Sequence, residues 1–433
     1  MAAPLSASTL LAQEARALIT RLGRIRPFVL VEPMLTAAAP LPRTQSAIDG
    51  YLMLGRRKLL ELVQGFLQWI ESENGRNARP EDAQRRFTFL RLQFNAVISQ
   101  FDMFNDAITQ RSENESGVWL AGLDIIAAEA LSLPGYFDPP PLLCYLDRGV
   151  GAAIRRARTR LPGGGEHPVA LVRVPRERMV GSGVASSLIH EVGHQAAALL
   201  DLVPSLRAAM KSRNVDEGPW KCWDRWISEI VADFWSVARV GVTSTMGLIG
   251  VVSLPRAFIF RANEDDPYPM PWIRVHISAA IGQELYPHPQ WEMVIALWES
   301  FYPLEGLDEE TLHLVTSLKE SIPALVRFLV RHRPASLQGH TLAEVMDTES
   351  RQPAQLSALL QEWEARPAQL YRAPPCFVLA ALGQGRLDGR VSPEEESTLI
   401  AKLLTHWALK TTLDVSSYCA LHGDSHGKLT QAV

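Results

Sequence analysis

The chain has 433 residues, of which 47% are hydrophobic and 21% charged, with a formal net charge of -4. That balance belongs to a folded protein long enough for two or three domains or one large helical body, and the weakly negative charge argues against nucleic acid as a partner. Cys144, Cys222, Cys376 and Cys419 are too scattered for a zinc finger or a disulfide framework and read as reduced thiols; with neither an export signal nor an apolar run long enough to span a bilayer, a cytoplasmic location is expected.

From Leu5 to about Gly23 the spacing of Leu10, Leu11, Ala15, Leu18 and Ile19 predicts a helix. Pro27, Pro33, Pro40 and Pro42 then mark a linker around the apolar run Phe28 to Val31. Long helices follow over Ser46 to Ser72 and Pro80 to Arg111, with turn residues Asn74, Gly75 and Asn77 between them, so antiparallel packing is expected. A further helix over Gly117 to Ser132 runs to the breaker Pro139-Pro140-Pro141, and Leu142 to Leu161 reads as helical with a basic face. Gly163-Gly164-Gly165 lacks the lysine and hydroxyl of a phosphate loop. Val169 to Val174 is the best strand; its exposed edge is the candidate for holding an extended peptide, with Val172 as a substrate-binding residue, and an ordinary hairpin strand is the alternative.

Ser187 to Leu200 forms the next helical pattern. His190 and His194 lie one turn apart on one face, so two imidazoles can reach one metal ion from a rigid support. Glu191, a third of a turn away, is placed to take a proton from a metal-held water and return it, completing a His-Glu-x-x-His pattern. Gly193 in mid-helix costs about 1 kcal/mol relative to alanine and implies close approach of a backbone or ligand. The connection over Pro204 to Trp220 is polar or a short helix.

In the helix containing Trp226 to Trp235, the residues Trp226, Ile230, Val231 and Phe234 form the buried side, while Glu229 and Asp233 share another face. Two acids on so apolar a helix require a cation or donors. Zinc is the expected cation, with Glu229 as third protein ligand and Asp233 accepting the outer ring N–H of a ligating histidine. The proline-rich Asp265 to Pro271 segment leads to a helix over Trp272 to Leu285; Arg274 and His276 are candidate contacts for an oxyanion or substrate carboxylate, with a hydrogen-bonded packing role the equal alternative for His276, and Tyr268 is a candidate phenol donor to the tetrahedral intermediate or a cap on the proline turn.

The chain resembles the gluzincin peptidases, most closely the family of the CaaX-prenyl protease and the bacterial heat-shock membrane peptidases. The resemblance rests on His190-Glu191-Val192-Gly193-His194 and Glu229-Ile230-Val231-Ala232-Asp233, then on Pro269 and the pair Arg274-Val275, with Tyr268 standing where that family has histidine. It covers roughly a quarter of the chain and implies a zincin-type core cleaving peptides with zinc. Unlike those membrane relatives, the chain offers no span: Val240 to Leu254 is short, interrupted, and stopped by Pro255.

Helical patterns complete the chain at Pro289 to Phe301, Asp308 to Arg331, Thr341 to Met346, Pro353 to Arg366, Pro374 to Leu382 and Pro393 to Leu413, the last opened by Ser392, Pro393 and Glu395 as a capping box. The expectation is a mainly α protein with a small β element: a helical region over 1–135, a zinc metallopeptidase core over 136–305 and a helical region over 306–433. Its substrate is a peptide or protein, with no membrane span and no nucleic acid. The competing expectation is a helical interaction or regulatory protein with a structural or inactive zinc site.

Overall fold

The computed structural model describes residues 6–27, 33–148, 152–161, 165–176, 181–211, 218–261 and 266–422. The expected Phe28 to Val31 run, Gly163 and Gly164, and the tail beyond His422 lie outside them. The architecture is mainly helical around a small three-stranded sheet. Helices α1 (Ala7–Leu22), α2 (Pro42–Glu71), the short α3 (Glu73–Arg76), α4 (Pro80–Thr109) and α5 (Asn114–Leu131) lead into strands β1 (Leu142–Asp147), β2 (Ala153–Arg155) and β3 (Ala170–Pro175). Next come α6 (Ser182–Leu199), α7 (Leu202–Lys211), α8 (Pro219–Val240), α9 (Val242–Val252), α10 (Arg256–Ile259) and α11 (Pro271–Leu285). The remainder is α12 (Gln290–Phe301), α13 (Glu309–Arg331), α14 (Leu342–Val345), α15 (Pro353–Ala365), α16 (Pro367–Leu370), α17 (Pro375–Leu387) and α18 (Pro393–His422).

Helix starts follow local chemistry. Proline occupies the first turn of α2, α4, α8 and α11, where its missing N–H removes no helical bond. The α18 box forms as expected: the Ser392 N–H donates to Glu395 Oε2 at 2.9 Å and the Glu395 N–H to Ser392 Oγ at 3.2 Å. Thr341 and Glu344 make the same reciprocal cap on α14.

The sheet corrects two expectations. Leu142 to Leu161, read as a helix, instead contains β1 and β2. In β1, Leu143 packs with Leu171 against Ile48, Phe101 and Phe104 of α2 and α4, while Leu142, Cys144 and Leu146 face the main core. A strand covered on both faces has no polar alternation, so its apolar run resembles a buried helix. The strand order is β1-β3-β2, with β3 parallel to β1 and antiparallel to β2. Val169 to Val174 is therefore central rather than an edge, and Val172 is fully buried, paired with Cys144 on one side and Ile154 on the other. The edge on the β3 side of the sheet belongs to β2.

One core cluster runs from Leu120 in α5 to Trp407 in α18, crossing both expected boundaries near 135 and 305. A smaller cluster joins α1 to the hairpin of α2 and α4 through Leu18, Val63, Phe66, Phe87 and Phe94. Arg111 and Asp124 fasten α5 to the sheet: they pair at 2.9 Å with both side chains essentially inaccessible. Arg111 also donates to the Cys144 carbonyl at 2.7 Å, and the Cys144 N–H donates to Asp124 at 2.7 Å. Among the described residues no helix is long and apolar enough to cross a membrane.

Candidate metal centre

Helices α6, α8 and α11 meet around one group of ionisable side chains. The two imidazoles of α6 stand edge to face, with ring centroids 4.8 Å apart and planes at 86°. Opposite them, α8 carries Glu229 and Asp233 one turn apart, and Arg274 enters from α11. The close approach of α6 and α8 depends on Gly193. A Cβ there would lie 3.0 Å from the Cα and carbonyl oxygen of Ala232 and 3.0 Å from the Cβ of Trp235, so any side chain at this crossing would force the two helices slightly apart.

His190 Nε2 lies 3.2 Å from Glu229 Oε2, and His194 Nε2 lies 3.3 Å from Glu229 Oε1. One ligand atom from each of His190, His194 and Glu229 falls within 4.8 Å of the others, and this group could hold a metal ion. In a tetrahedral site with bonds of about 2.0–2.1 Å, neighbouring ligand atoms sit roughly 3.3 Å apart. The two imidazole-to-carboxylate contacts are close to that value but use different oxygens of Glu229, so the three groups would have to draw together around an ion.

Asp233 Oδ1 accepts from His190 Nδ1 at 2.8 Å, which fixes a proton on Nδ1, so a metal bound by this ring would replace the Nε2 proton that faces Glu229. His194 has a weaker partner in the Ser228 hydroxyl, 3.4 Å from its Nδ1; sequence reasoning passed over Ser228, whose only signal is its place immediately before Glu229. Arg274 donates through Nε to Asp233 Oδ2 at 2.8 Å and through Nη2 to Asp233 Oδ1 at 2.9 Å, with Nη2 also 3.4 Å from Glu229 Oε2. The guanidinium expected to meet an oxyanion is thus engaged with the two carboxylates.

Burial opposes ionisation here, and pairing overrides it. Desolvation alone would lower the His190 pKa, yet the Asp233 charge and hydrogen bond, with help from Glu229, raise it to about 9. Desolvation alone would raise the Glu229 carboxyl; hydrogen bonds from His190 and His194 and their charge, with Arg274, hold it well below the ordinary carboxylate range. Asp233 is lowered in the same way by Arg274 and His190 against its burial, and the Arg274 pKa is raised by Asp233 and Glu229 against its own.

The group opens onto a cleft of about 770 Å³ lined by His190, Glu191, Trp226, Asp233, Tyr268 and Arg274. Glu191 and the 55% exposed Tyr268 therefore share this cleft with His190, while His194 and Glu229 stand behind its lining. Burial, then the charges of Glu229 and Glu191, raise the Tyr268 phenol and keep it protonated. His276 stands elsewhere: it is 5% exposed, stacked 3.9 Å from Trp272, with Nδ1 2.9 Å from the Trp272 carbonyl and Nε2 2.9 Å from Glu299. The expected substrate contact is a packing residue, because positions two apart on a helix point to opposite sides and Arg274 holds the cleft side. Val172, inside the sheet, is likewise absent from the cleft lining.

No known family model, curated protein or solved structure matches the chain.

Proposed function

We propose that the protein is a zinc-dependent peptidase of the gluzincin type. The observation that carries this reading is the gathering of His190, His194 and Glu229 within 4.8 Å of one another, next to a cleft that His190 and Glu191 line. Two imidazole nitrogens and a carboxylate are the donor set of catalytic zinc sites, which leave one position open. A zinc ion held by these residues would supply a water with its pKa lowered toward about 7 and polarisation of a carbonyl oxygen.

The chain's own residues supply the rest. Glu191 takes a proton from the attacking water and delivers it to the departing amine nitrogen as the peptide C–N bond breaks. Asp233 holds His190 in the tautomer that presents Nε2, and Arg274 keeps Asp233 and Glu229 ionised and oriented. Tyr268, protonated and exposed to the cleft, donates its hydroxyl to the oxygen that gains charge.

A second reading, a helical interaction protein without catalysis, draws on one observation: Arg274 Nη2 lies 3.3 Å from His190 Nε2, so a cation already neighbours the ligand atoms. A single experiment separates the two. Zinc-loaded protein incubated with an unbiased peptide library is expected to give products that disappear with a chelator and in Glu191→Gln; absence of chelator-sensitive products removes the peptidase reading.

A further inference from the structure

The cleft has a second, chemically distinct wall. Between α8 and α11 the chain passes through α9 and α10, and the side chains of Leu248, Val252, Leu254 and Phe258 line the same cleft as His190 and Glu191. Leu254 and Phe258 are 43% and 50% exposed. Isolated exposed apolar residues need no explanation, but these gather on one concave surface beside a set of ligand atoms. From Leu248 to Phe258 the only charged residue is Arg256.

Arg256 is turned to another task. Its Nη1 donates to the Pro303 carbonyl at 2.6 Å and its Nη2 to the Glu305 carbonyl at 2.7 Å, and its guanidinium carbon lies 4.9 Å from the Phe260 ring centroid. The Tyr302 hydroxyl donates to the Leu254 carbonyl at 3.0 Å. The segment bearing Leu254 and Phe258 is thus tied to the end of α12 by hydrogen bonds on both sides of Pro255. An apolar surface held in place before anything binds loses little freedom when a ligand arrives, which is the condition for recognition.

We infer that this wall is the specificity surface of the cleft and that it takes a bulky aliphatic or aromatic side chain of a peptide, packed on Leu254 and Phe258. The inference rests on the peptidase reading above. A glycine would leave the wall wet, and a charged side chain would be drawn toward Arg173, Arg261 or Asp266 of the same cleft rather than onto Leu254 and Phe258.

The test uses two dipeptide hydroxamates, one with a leucine side chain and one with glycine, binding to the zinc-loaded full chain carrying Glu191→Gln, so that affinity is read without turnover. The expected result is that the leucine compound binds about tenfold or more tightly than the glycine compound. Adding Phe258→Ser, or Leu254→Ser as a second variant, is expected to bring that ratio close to one at unchanged zinc content and melting temperature. Equal affinities in the parent, or a ratio that neither substitution reduces, overturns the apolar wall while leaving the peptidase reading intact. Failure of both hydroxamates to bind removes the peptidase reading, and this inference with it.

Discussion

Among the described residues two arginine–aspartate pairs are buried, and they do different work. Arg111 and Asp124 close on each other and on the backbone of Cys144, so every direction from the pair ends in protein. Arg274 and Asp233 are nearly as buried, but His190, Glu229 and His194 stand beside them and the far side is a cleft. The carboxyls respond in opposite directions: burial prevails at Asp124 and raises its pKa despite Arg111, whereas Arg274 and His190 outweigh burial at Asp233 and lower it. A buried ion pair alone says little about function. What distinguishes the second is that it orders neighbours whose own lone pairs converge.

The comparison can be broken by substitution. The open centre is expected to lose activity without losing its fold: Glu191→Gln retains zinc while peptide turnover falls about a hundredfold to ten-thousandfold, read as initial rates beside metal content. The closed pair is expected to lose stability instead. Asp124→Ala strands Arg111 in the core at a cost of about 3–5 kcal/mol, measured by urea unfolding. Asp233→Asn should act on the metal, weakening zinc affinity roughly 10- to 100-fold in a competition titration with a chelator, with a smaller shift in the unfolding midpoint than Asp124→Ala.

Gly193→Ala tests the scaffold between these extremes. Its Cβ meets backbone atoms of Ala232 at 3.0 Å, so α6 and α8 must separate, at about 1–3 kcal/mol in stability together with weaker zinc binding. The smallest effect is pH dependence away from the centre. Burial lowers the pKa of His167, His276 and His332 below the ordinary histidine value. The unfolded chain then binds more protons than the folded one as pH drops through about 6.5, so stability present above that pH declines on acidification. Because the raised His190 acts in the opposite sense, the effect is read by difference: between pH 8 and 5, His276→Gln combined with His332→Gln should lose less melting temperature, or gain more, than the unsubstituted protein.

The site was more legible in the sequence than the sheet. His190, His194, Glu229 and Asp233 occur as one-turn spacings, and helical periodicity fixes which side chains share a face, so their meeting required only that two helices pack. Gly193 announced that contact, and Ala232 accepts it. Strand β1 was hidden because burial on both faces erases the alternation that marks a strand, and the arginines after it suited a helix equally well. The central position of β3 was not readable from its own residues, since strand order depends on where β1 and β2 return. Of the two readings open for His276, its position already favoured packing: two residues from Arg274, it has to face away from the cleft. Leu254 drew notice only as the end of a run too short to span a membrane, and Phe258 not at all, because exposure belongs to the tertiary fold.

The central claim is that His190, His194 and Glu229 hold one ion together. X-ray absorption at the zinc edge of the zinc-loaded protein tests it most directly. The account predicts a shell of two imidazole nitrogens and carboxylate or water oxygen at about 2.0–2.2 Å that loses one imidazole in His194→Ala. A metal shell without histidine, or a spectrum unchanged by that substitution, would contradict it.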